Sequence, residues 1–471
     1  MDRRTFLKTT GASMTGAILS AQPSSRADAA PLGERANVLM ITCHDIGQHL
    51  HCYGAETVQT PNLDRLAGRG VRFANCYSTS AVCSPGRGSL LTGRYPQSNG
   101  LMGLTHGPWW WSLHDTEKHV AQLLGEAGYA TTLVGLSHVG RTPEGLGFDQ
   151  HLSPDLDAHE TVRETIAIIE DAAHRDQPFY VQAGFNEVHP TSFDDERKDA
   201  ERGVDIPGWL EPTGAMREDF EAYQGAIKFF DERVGEILDA LEQSGVRDNT
   251  LVIMTSDHGM PYPGAKQTVR KAGVEVPCIM YYPDSPLSGG KVFSDIMSNV
   301  DILPTLLDYL GIDAPENLQG YSFRDRIEGN AAQGPRAEAC SQYTVDMRRN
   351  NESRSIITER YHLIRYFSPG RVVGYPTGVD PRAHRQHLAR PATPGDAWGV
   401  TRPFAQLYDI QEDPSELNDI GGDPEYADIV ADLSARLLAW MREAGDPLLD
   451  GPLRHPYYER SIADLMEKGG G

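Results

Sequence analysis

NVLMIT, at residues 37–42, is a short continuous apolar run that ends directly before His44 and Asp45. Four similar runs recur along the chain, at residues 130–134, 179–183, 251–255 and 278–282. Segments with helical periodicity lie between them, at residues 117–127, 161–173 and 218–244. Strands that alternate with helices form a parallel sheet with helices on both faces. We therefore predict an α/β fold with a large, mostly parallel sheet.

The pattern changes after residue 334. A strand pair is predicted at residues 354–358 and 361–366, followed by a Pro- and Gly-rich loop at 369–398 and a helix at 426–444. We interpret this part as a smaller C-terminal α+β subdomain. The predicted organisation is a catalytic domain at residues 35–330 and a C-terminal subdomain at residues 335–465.

Charge and composition exclude two classes of protein. The 471 residues carry a formal net charge of -23, which argues against nucleic-acid binding because that function requires a basic surface. No apolar run reaches the roughly 20 residues that span a membrane. An anionic small-molecule or glycan substrate remains compatible, since a site can be locally positive on an acidic protein.

The N-terminus has the features of an export signal. Arg3-Arg4 precedes a weakly apolar stretch at residues 11–21, and Ala27-Asp28-Ala29 offers a small-x-small cleavage site. The arginine pair is typical of a twin-arginine signal. We predict that residues 1–29 are a signal peptide and that the mature protein is periplasmic or extracellular.

The most specific motif is CSPGRGSLLTGR, at residues 83–94. Ser84 can cap a helix and Pro85 suits its first position. Cys83 would then lie at a helix N-terminus, where backbone N–H groups favour an anion. Arg87, one turn later, can pair with an oxyanion. The alternative from these residues alone is a structural cysteine beside a helix cap.

Cys-x-Pro-x-Arg followed by Leu-Leu-Thr-Gly-Arg resembles the signature of the type I sulfatases, in the alkaline-phosphatase superfamily. The resemblance continues through nearly the whole mature chain, in the segments at residues 37–42, 60–64, 255–259, 301–305 and 407–409. Residues 99–104 resemble the sulfamidase (heparan N-sulfatase) branch. The resemblance implies an alkaline-phosphatase-like fold and hydrolysis of sulfate esters, or of an N-sulfate, on a carbohydrate or related substrate.

In that family the cysteine, here Cys83, is converted by a formylglycine-generating enzyme to formylglycine, whose hydrate is the nucleophile. The resemblance also implies a single divalent metal, with calcium the usual ion. Here the metal-binding residues would be His44, Asp45, Cys83, Asp257 and His258. His44 stands where family members have an acid, and the imidazoles of His44 and His258 suit manganese or zinc better than calcium.

The resemblance further implies a set of sulfate-binding and proton-transferring residues: Arg87, His138, His189 and Lys266. The family pattern Gly-Lys-x-His is Gly135-Leu136-Ser137-His138 here, so one lysine is missing. Arg141, in the same loop, is the candidate replacement.

Three adjacent tryptophans, Trp109, Trp110 and Trp111, are interpreted either as a sugar-binding rim or as a core plug under a loop. Two rival functions also remain open. One is a phosphonate monoester or phosphodiester hydrolase on the same scaffold. The other is a non-catalytic glycan-binding relative, which Leu136 and His44 favour and the intact Cys83 motif disfavours.

Overall fold

The computed structural model describes residues 32, 35–140, 143–346, 349–368, 403–454 and 456–469. Its larger sheet has eight strands in the order β4-β3-β5-β1-β6-β7-β2-β8. In chain order the strands are β1 Asn37–Cys43, β2 Val71–Tyr77, β3 Ala130–Gly135, β4 Gln150–Leu152, β5 Phe179–Gly184, β6 Thr250–Ser256, β7 Cys278–Tyr281 and β8 Lys291–Ser298. All five predicted strands are present, and the sheet is mostly parallel as predicted.

Both faces of this sheet are covered, which explains the continuous apolar run at its centre. Along β1, Val38 and Met40 belong to one buried cluster, whereas Leu39 and Ile41 belong to the cluster on the opposite face. The helices of this part are Pro61–Arg69, Cys83–Thr92, Pro96–Asn99, Val120–Glu126, Ala158–Ala172, Gly214–Gln243, Lys271–Val274, Ile302–Leu310 and Arg324–Glu328.

One predicted strand runs in the unexpected direction. β7 pairs antiparallel with both β6 and β2. The segment between β6 and β7 contains only the one-turn helix Lys271–Val274, and a parallel crossover usually needs a long helical connection. Strands β2, β4 and β8 were not predicted, because β2 and β8 mix polar with apolar residues and β4 has three residues.

The C-terminal part forms a separate four-stranded antiparallel sheet in the order β12-β11-β10-β9. Its strands are β9 Ala339–Asp346, β10 Arg349–Ile357, β11 Tyr361–Tyr366 and β12 Ala405–Asp409, and its helices are Ala427–Glu443 and Pro456–Gly469. The predicted strand pair and helix are present, whereas β9, β12 and the last helix were not predicted. The predicted signal peptide and the loop at 369–398 lie outside the described residues, and the domain boundaries remain predictions.

The two sheets meet beside the loop that leads to Cys83. Gln342 donates a backbone hydrogen bond to the Thr79 carbonyl (2.8 Å), and the Ser341 hydroxyl donates to the Ser78 carbonyl (2.7 Å). The smaller sheet therefore supports the segment that positions the cysteine. Across the part of the chain that the structure describes, none of the helices has the length and apolarity required to cross a bilayer.

Candidate active site

Cys83 is the first residue of the helix Cys83–Thr92. The N-cap is Val82, with no side-chain cap, so the prediction that Ser84 caps the helix is wrong. The Ser84 hydroxyl instead accepts a hydrogen bond from the Thr105 backbone (3.3 Å). Pro85 fits because a residue in the first helical turn needs no intrahelical N–H bond. Cys83 nevertheless lies at the helix N-terminus, as predicted.

The ends of β1 and β6 bring two pairs of residues together. These strands are parallel neighbours, with Cys43 opposite Ser256, so the residues that follow them meet at one edge of the sheet. His44 Nδ1 lies 2.7 Å from Asp257 Oδ2, and His258 Nε2 lies 3.1 Å from Asp45 Oδ1. All four side chains are buried.

The cysteine helix packs directly on this edge. The Cys83 thiol lies 3.3 Å from His258 Nε2. A Cβ atom at Gly86 would come within 2.5 Å of the Asp257 carbonyl oxygen, so the close approach requires glycine. The Asp257 carbonyl also accepts a 2.6 Å hydrogen bond from the Ser78 hydroxyl. Cys83 is thus fixed against the two residue pairs.

Two buried, positively charged side chains balance the negative charge of the carboxylates. Lys266 Nζ lies 2.6 Å from Asp45 Oδ2, and Arg87 Nε lies 3.2 Å from Asp257 Oδ2. The Arg87 guanidinium also donates to the Cys43 carbonyl (2.8 Å). Arg87 is therefore held by Asp257 and by the end of β1, while Lys266 is held by Asp45.

These charges favour the ionised form of the acids and of the thiol. Burial opposes ionisation of Asp257, but His258, His44 and Arg87 hold its pKa well below the usual value. Burial likewise opposes ionisation of Cys83, yet Lys266, His44 and His258 lower the pKa of its thiol well below the usual value. Such an environment makes a cysteine reactive.

His138 and His189 flank the same cluster. Their rings lie 5.8 Å and 5.1 Å, respectively, from the ring of His44, measured between centroids. His138 also interacts with the Cys83 thiol. Burial lowers the pKa of His138, and burial followed by Lys266 lowers the pKa of His189 to about 4. Leu136 is half-buried in the same loop as His138, and Arg141 lies outside the described residues.

Sequence reasoning missed three residues around the site. His106 stacks on His138 with ring centroids 5.4 Å apart and planes 4° from parallel. The Glu187 backbone carbonyl accepts a hydrogen bond from the His44 backbone N–H (2.7 Å), and the Asn299 side chain donates to the Gly86 carbonyl (2.9 Å). Asn299 directly follows β8, so a prediction of that strand from the sequence would have identified Asn299 as a candidate site residue. Nothing in the sequence distinguishes His106 or Glu187.

The donor atoms form a compact group. One ligand atom from each of five buried residues lies within 4.8 Å of the others: His44, Asp45, Cys83, Asp257 and His258. Two carboxylates, two imidazoles and a thiol can together coordinate a divalent cation. The residues present therefore fit a metal ion, and they are the five predicted from the sequence.

Comparisons with known proteins identify the family. The family model described as "Sulfatase" matches residues 36–312, and the model described as "N-sulphoglucosamine sulphohydrolase, C-terminal" matches residues 264–386. The N-sulphoglucosamine sulphohydrolase of Homo sapiens is 27% identical over 88% of this chain and 92% of its own. An ulvan-active sulfatase of Formosa agariphila is 27% identical over 90% of this chain and 84% of its own.

The fold also matches solved structures. One of them is described as a complex with the substrate D-glucosamine-2-N,6-O-disulfate, and it superposes with a TM-score of 0.65. It is 22% identical in sequence, and the alignment covers 89% of this chain and 99% of that one. The likeness extends over both sheets and so includes the C-terminal part.

Proposed function

Because the chain belongs to the sulfatase family, a family of sulfuric ester hydrolases, we propose that it releases sulfate from a sulfated carbohydrate at the site around Cys83. The observation that carries this proposal is the position of the thiol, at a helix N-terminus and 3.3 Å from His258 in a cluster of metal-binding side chains. The match of residues 264–386 to the N-sulphoglucosamine sulphohydrolase model makes N-sulfoglucosamine the first substrate to test.

The proposal includes maturation of Cys83 to formylglycine by a formylglycine-generating enzyme. The hydrated aldehyde supplies an oxygen nucleophile for attack at sulfur. The thiol is the group in this chain that the modification motif identifies, and its pKa is already lowered by Lys266, His44 and His258 although burial opposes this. A mature enzyme would carry no thiol at this position.

We propose one divalent cation, held by His44, Asp45, Asp257 and His258 beside residue 83. A bound cation stabilises negative charge on the sulfuryl oxygens and on the nucleophile. Two imidazole donors favour manganese or zinc over calcium, which prefers oxygen ligands. The alternative is calcium, which the family resemblance implies. Elemental analysis after dialysis distinguishes calcium from manganese and zinc.

The remaining residues have separate proposed tasks. Lys266 contributes positive charge beside the sulfate group while it orients Asp45. Arg87 fixes Asp257 and the end of β1, so it holds the ligands in place. A protonated histidine or lysine donates a proton to the leaving oxygen or nitrogen, with His138 and Lys266 as the candidates, and His189 accepts one when sulfate is released.

The test compares protein made with and without the maturation enzyme. Peptide mass spectrometry should show thiol-to-aldehyde conversion at Cys83 in the first sample only, and ion chromatography should detect sulfate release from N-sulfoglucosamine in that sample only. Faster hydrolysis of a phosphonate monoester than of any sulfated sugar would favour the rival hydrolase. Binding of the sugar without turnover by the converted protein would favour the non-catalytic relative.

We also propose export through the twin-arginine route, based on Arg3-Arg4 and the cleavage site at residues 27–29. Replacement of both arginines by lysine should retain the precursor in the cytoplasm, as measured by cell fractionation. Normal export of this variant would contradict the proposal.

A further inference from the structure

The loop at residues 104–111 packs against the cysteine helix through Leu104 and Thr105, and its three tryptophans have different surroundings. Trp111 is buried in the core of the larger sheet. Trp110 stacks on Tyr457 of the last helix, with ring centroids 6.0 Å apart. Trp109 is half-buried and contacts the exposed ring of His106 in a perpendicular arrangement at 4.9 Å. Trp111 is therefore the core plug, whereas Trp109 belongs to the rim.

His106 and Trp109 continue the site from its reactive end outward. The ring of His138 lies 5.8 Å from that of His44, whose ligand nitrogen is within 4.8 Å of the Cys83 thiol, and the parallel ring of His106 lies 5.4 Å from that of His138. Trp109 then packs on His106 and on the apolar cluster that contains Cys83. These side chains form a row that leads from the reactive residue to solvent.

The loop is held in this shape before any ligand arrives. Its Thr105 backbone N–H donates to the Ser84 hydroxyl of the cysteine helix (3.3 Å), and the Trp111 backbone N–H donates to the Leu104 carbonyl (3.1 Å). A Cβ atom at Gly103 would come within 2.5 Å of the Trp111 ring, so this anchor depends on glycine. The ring surfaces of this loop are preorganised, which reduces the entropic cost of binding.

We propose that His106 and Trp109 form the wall of a subsite for the sugar ring that carries the scissile sulfate group, an inference that rests on the proposed function. Aromatic rings present an apolar surface to the C–H face of a sugar, and a nearby polar atom fixes its orientation. His106 Nδ1 is engaged by the Gly107 carbonyl (3.2 Å), so its Nε2 atom is the nitrogen that meets a sugar hydroxyl.

The experiment compares Trp109→Ala and His106→Ala with Trp110→Ala, a matched control in the same loop. In enzyme with converted Cys83, the KM for N-sulfoglucosamine should rise about tenfold for the first two variants, the effect of losing a stacking contact. The inhibition constant of inorganic sulfate, which has no sugar ring, should change by less than about twofold. Trp110→Ala should leave both constants near those of the wild type.

Two results would overturn the subsite. One is an equal loss of affinity for sulfate and for N-sulfoglucosamine in Trp109→Ala, and the other is the same rise in KM in Trp110→Ala. Trp109→Phe, which keeps an aromatic face, should retain affinity for the sugar even if the alanine variant folds poorly. A wild type that hydrolyses neither N-sulfated nor O-sulfated sugars would instead refute the proposed function, so the two failures are distinguishable.

Discussion

Two of the places where the described residues bury ionic groups are built differently. Arg354 and Asp446, between β10 and the end of the helix Ala427–Glu443, form a bidentate pair with contacts of 2.5 Å and 3.0 Å. The remaining Arg354 donors reach backbone carbonyls, and Asp446 also accepts from Gln97 and the Leu448 backbone. The pair thus joins one positive and one negative side chain, and these additional partners are all neutral groups.

At the candidate active site several ionisable side chains meet instead. His44 Nδ1 lies between Asp257 Oδ2 (2.7 Å) and Asp45 Oδ1 (3.1 Å), and the same oxygen of Asp45 is 3.1 Å from His258 Nε2. A satisfied buried network stabilises one structure, whereas crowded donors and acceptors are typical of a site that binds an ion or reacts. The comparison predicts that changes at Arg354 affect stability and changes at the site affect chemistry.

The largest effect on activity is expected for Cys83→Ala. Loss of a nucleophile lowers turnover by about three to six orders of magnitude, measured as sulfate release. Cys340→Ala is the matched control, because Cys340 is another buried cysteine, located in the C-terminal sheet. Comparable loss of activity in the control would show that burial rather than chemistry explains the result.

Asp257→Ala should remove the metal as well as the activity. Asp257 belongs to the donor cluster and contacts His44 and Arg87, so its loss leaves too few oxygen ligands to retain a cation. Elemental analysis after dialysis should detect metal in the wild type and in the surface control Asp239→Ala only. Equal metal content in all three proteins would remove Asp257 from the metal site.

Arg354→Ala should reduce the stability of the protein without loss of metal. Removal of one partner of a buried ion pair costs about 3–5 kcal/mol because the other charge is left unpaired. The free energy of unfolding should fall by this amount in denaturant titration, while metal content at a permissive temperature stays unchanged. Metal loss without a change in stability would contradict the distinction between the Arg354–Asp446 pair and the candidate active site.

Lys266→Ala and His138→Ala test the residues proposed to act on the sulfate and leaving group. Turnover of an aryl sulfate should fall about tenfold or more in each, the contribution of a positioned acid–base or charged group. Lys228→Ala, which removes a half-buried ammonium 3.9 Å from Asp199, is the control. Wild-type rates in both variants, with metal and converted Cys83 retained, would show that the sulfate-binding pocket is assigned incorrectly.

The smallest effect is expected for Leu136→Lys, which restores the family lysine. Activity should stay the same or rise by up to about tenfold, the value of one charge-assisted contact. The change is measured as kcat/KM on an aryl sulfate, with Leu136→Met as the size-matched control. A large loss of activity would show that the apolar side chain of Leu136 itself contributes to binding or catalysis.

The sequence predicted most of the larger sheet and of the cluster of side chains that could hold a metal, because both depend on local patterns. A continuous apolar run identifies a strand buried on both faces, and polar residues directly after such strands converge at one edge. The direction of β7 and the existence of β8 depend on tertiary pairing, which periodicity does not report. His106 joins the site through a ring stacking across separate loops, and no spacing rule anticipates such a contact.

Under the proposed maturation of Cys83, the burial of its side chain sets an order of events for biogenesis. Its side chain is only 5% exposed, enclosed by the cluster that includes Val82, Leu104 and Tyr343. An enzyme that oxidises this thiol has to reach the chain before the cysteine helix docks on β1 and β6. Folding and maturation therefore compete in time, and the share of active molecules depends on which is faster in the cell that makes them.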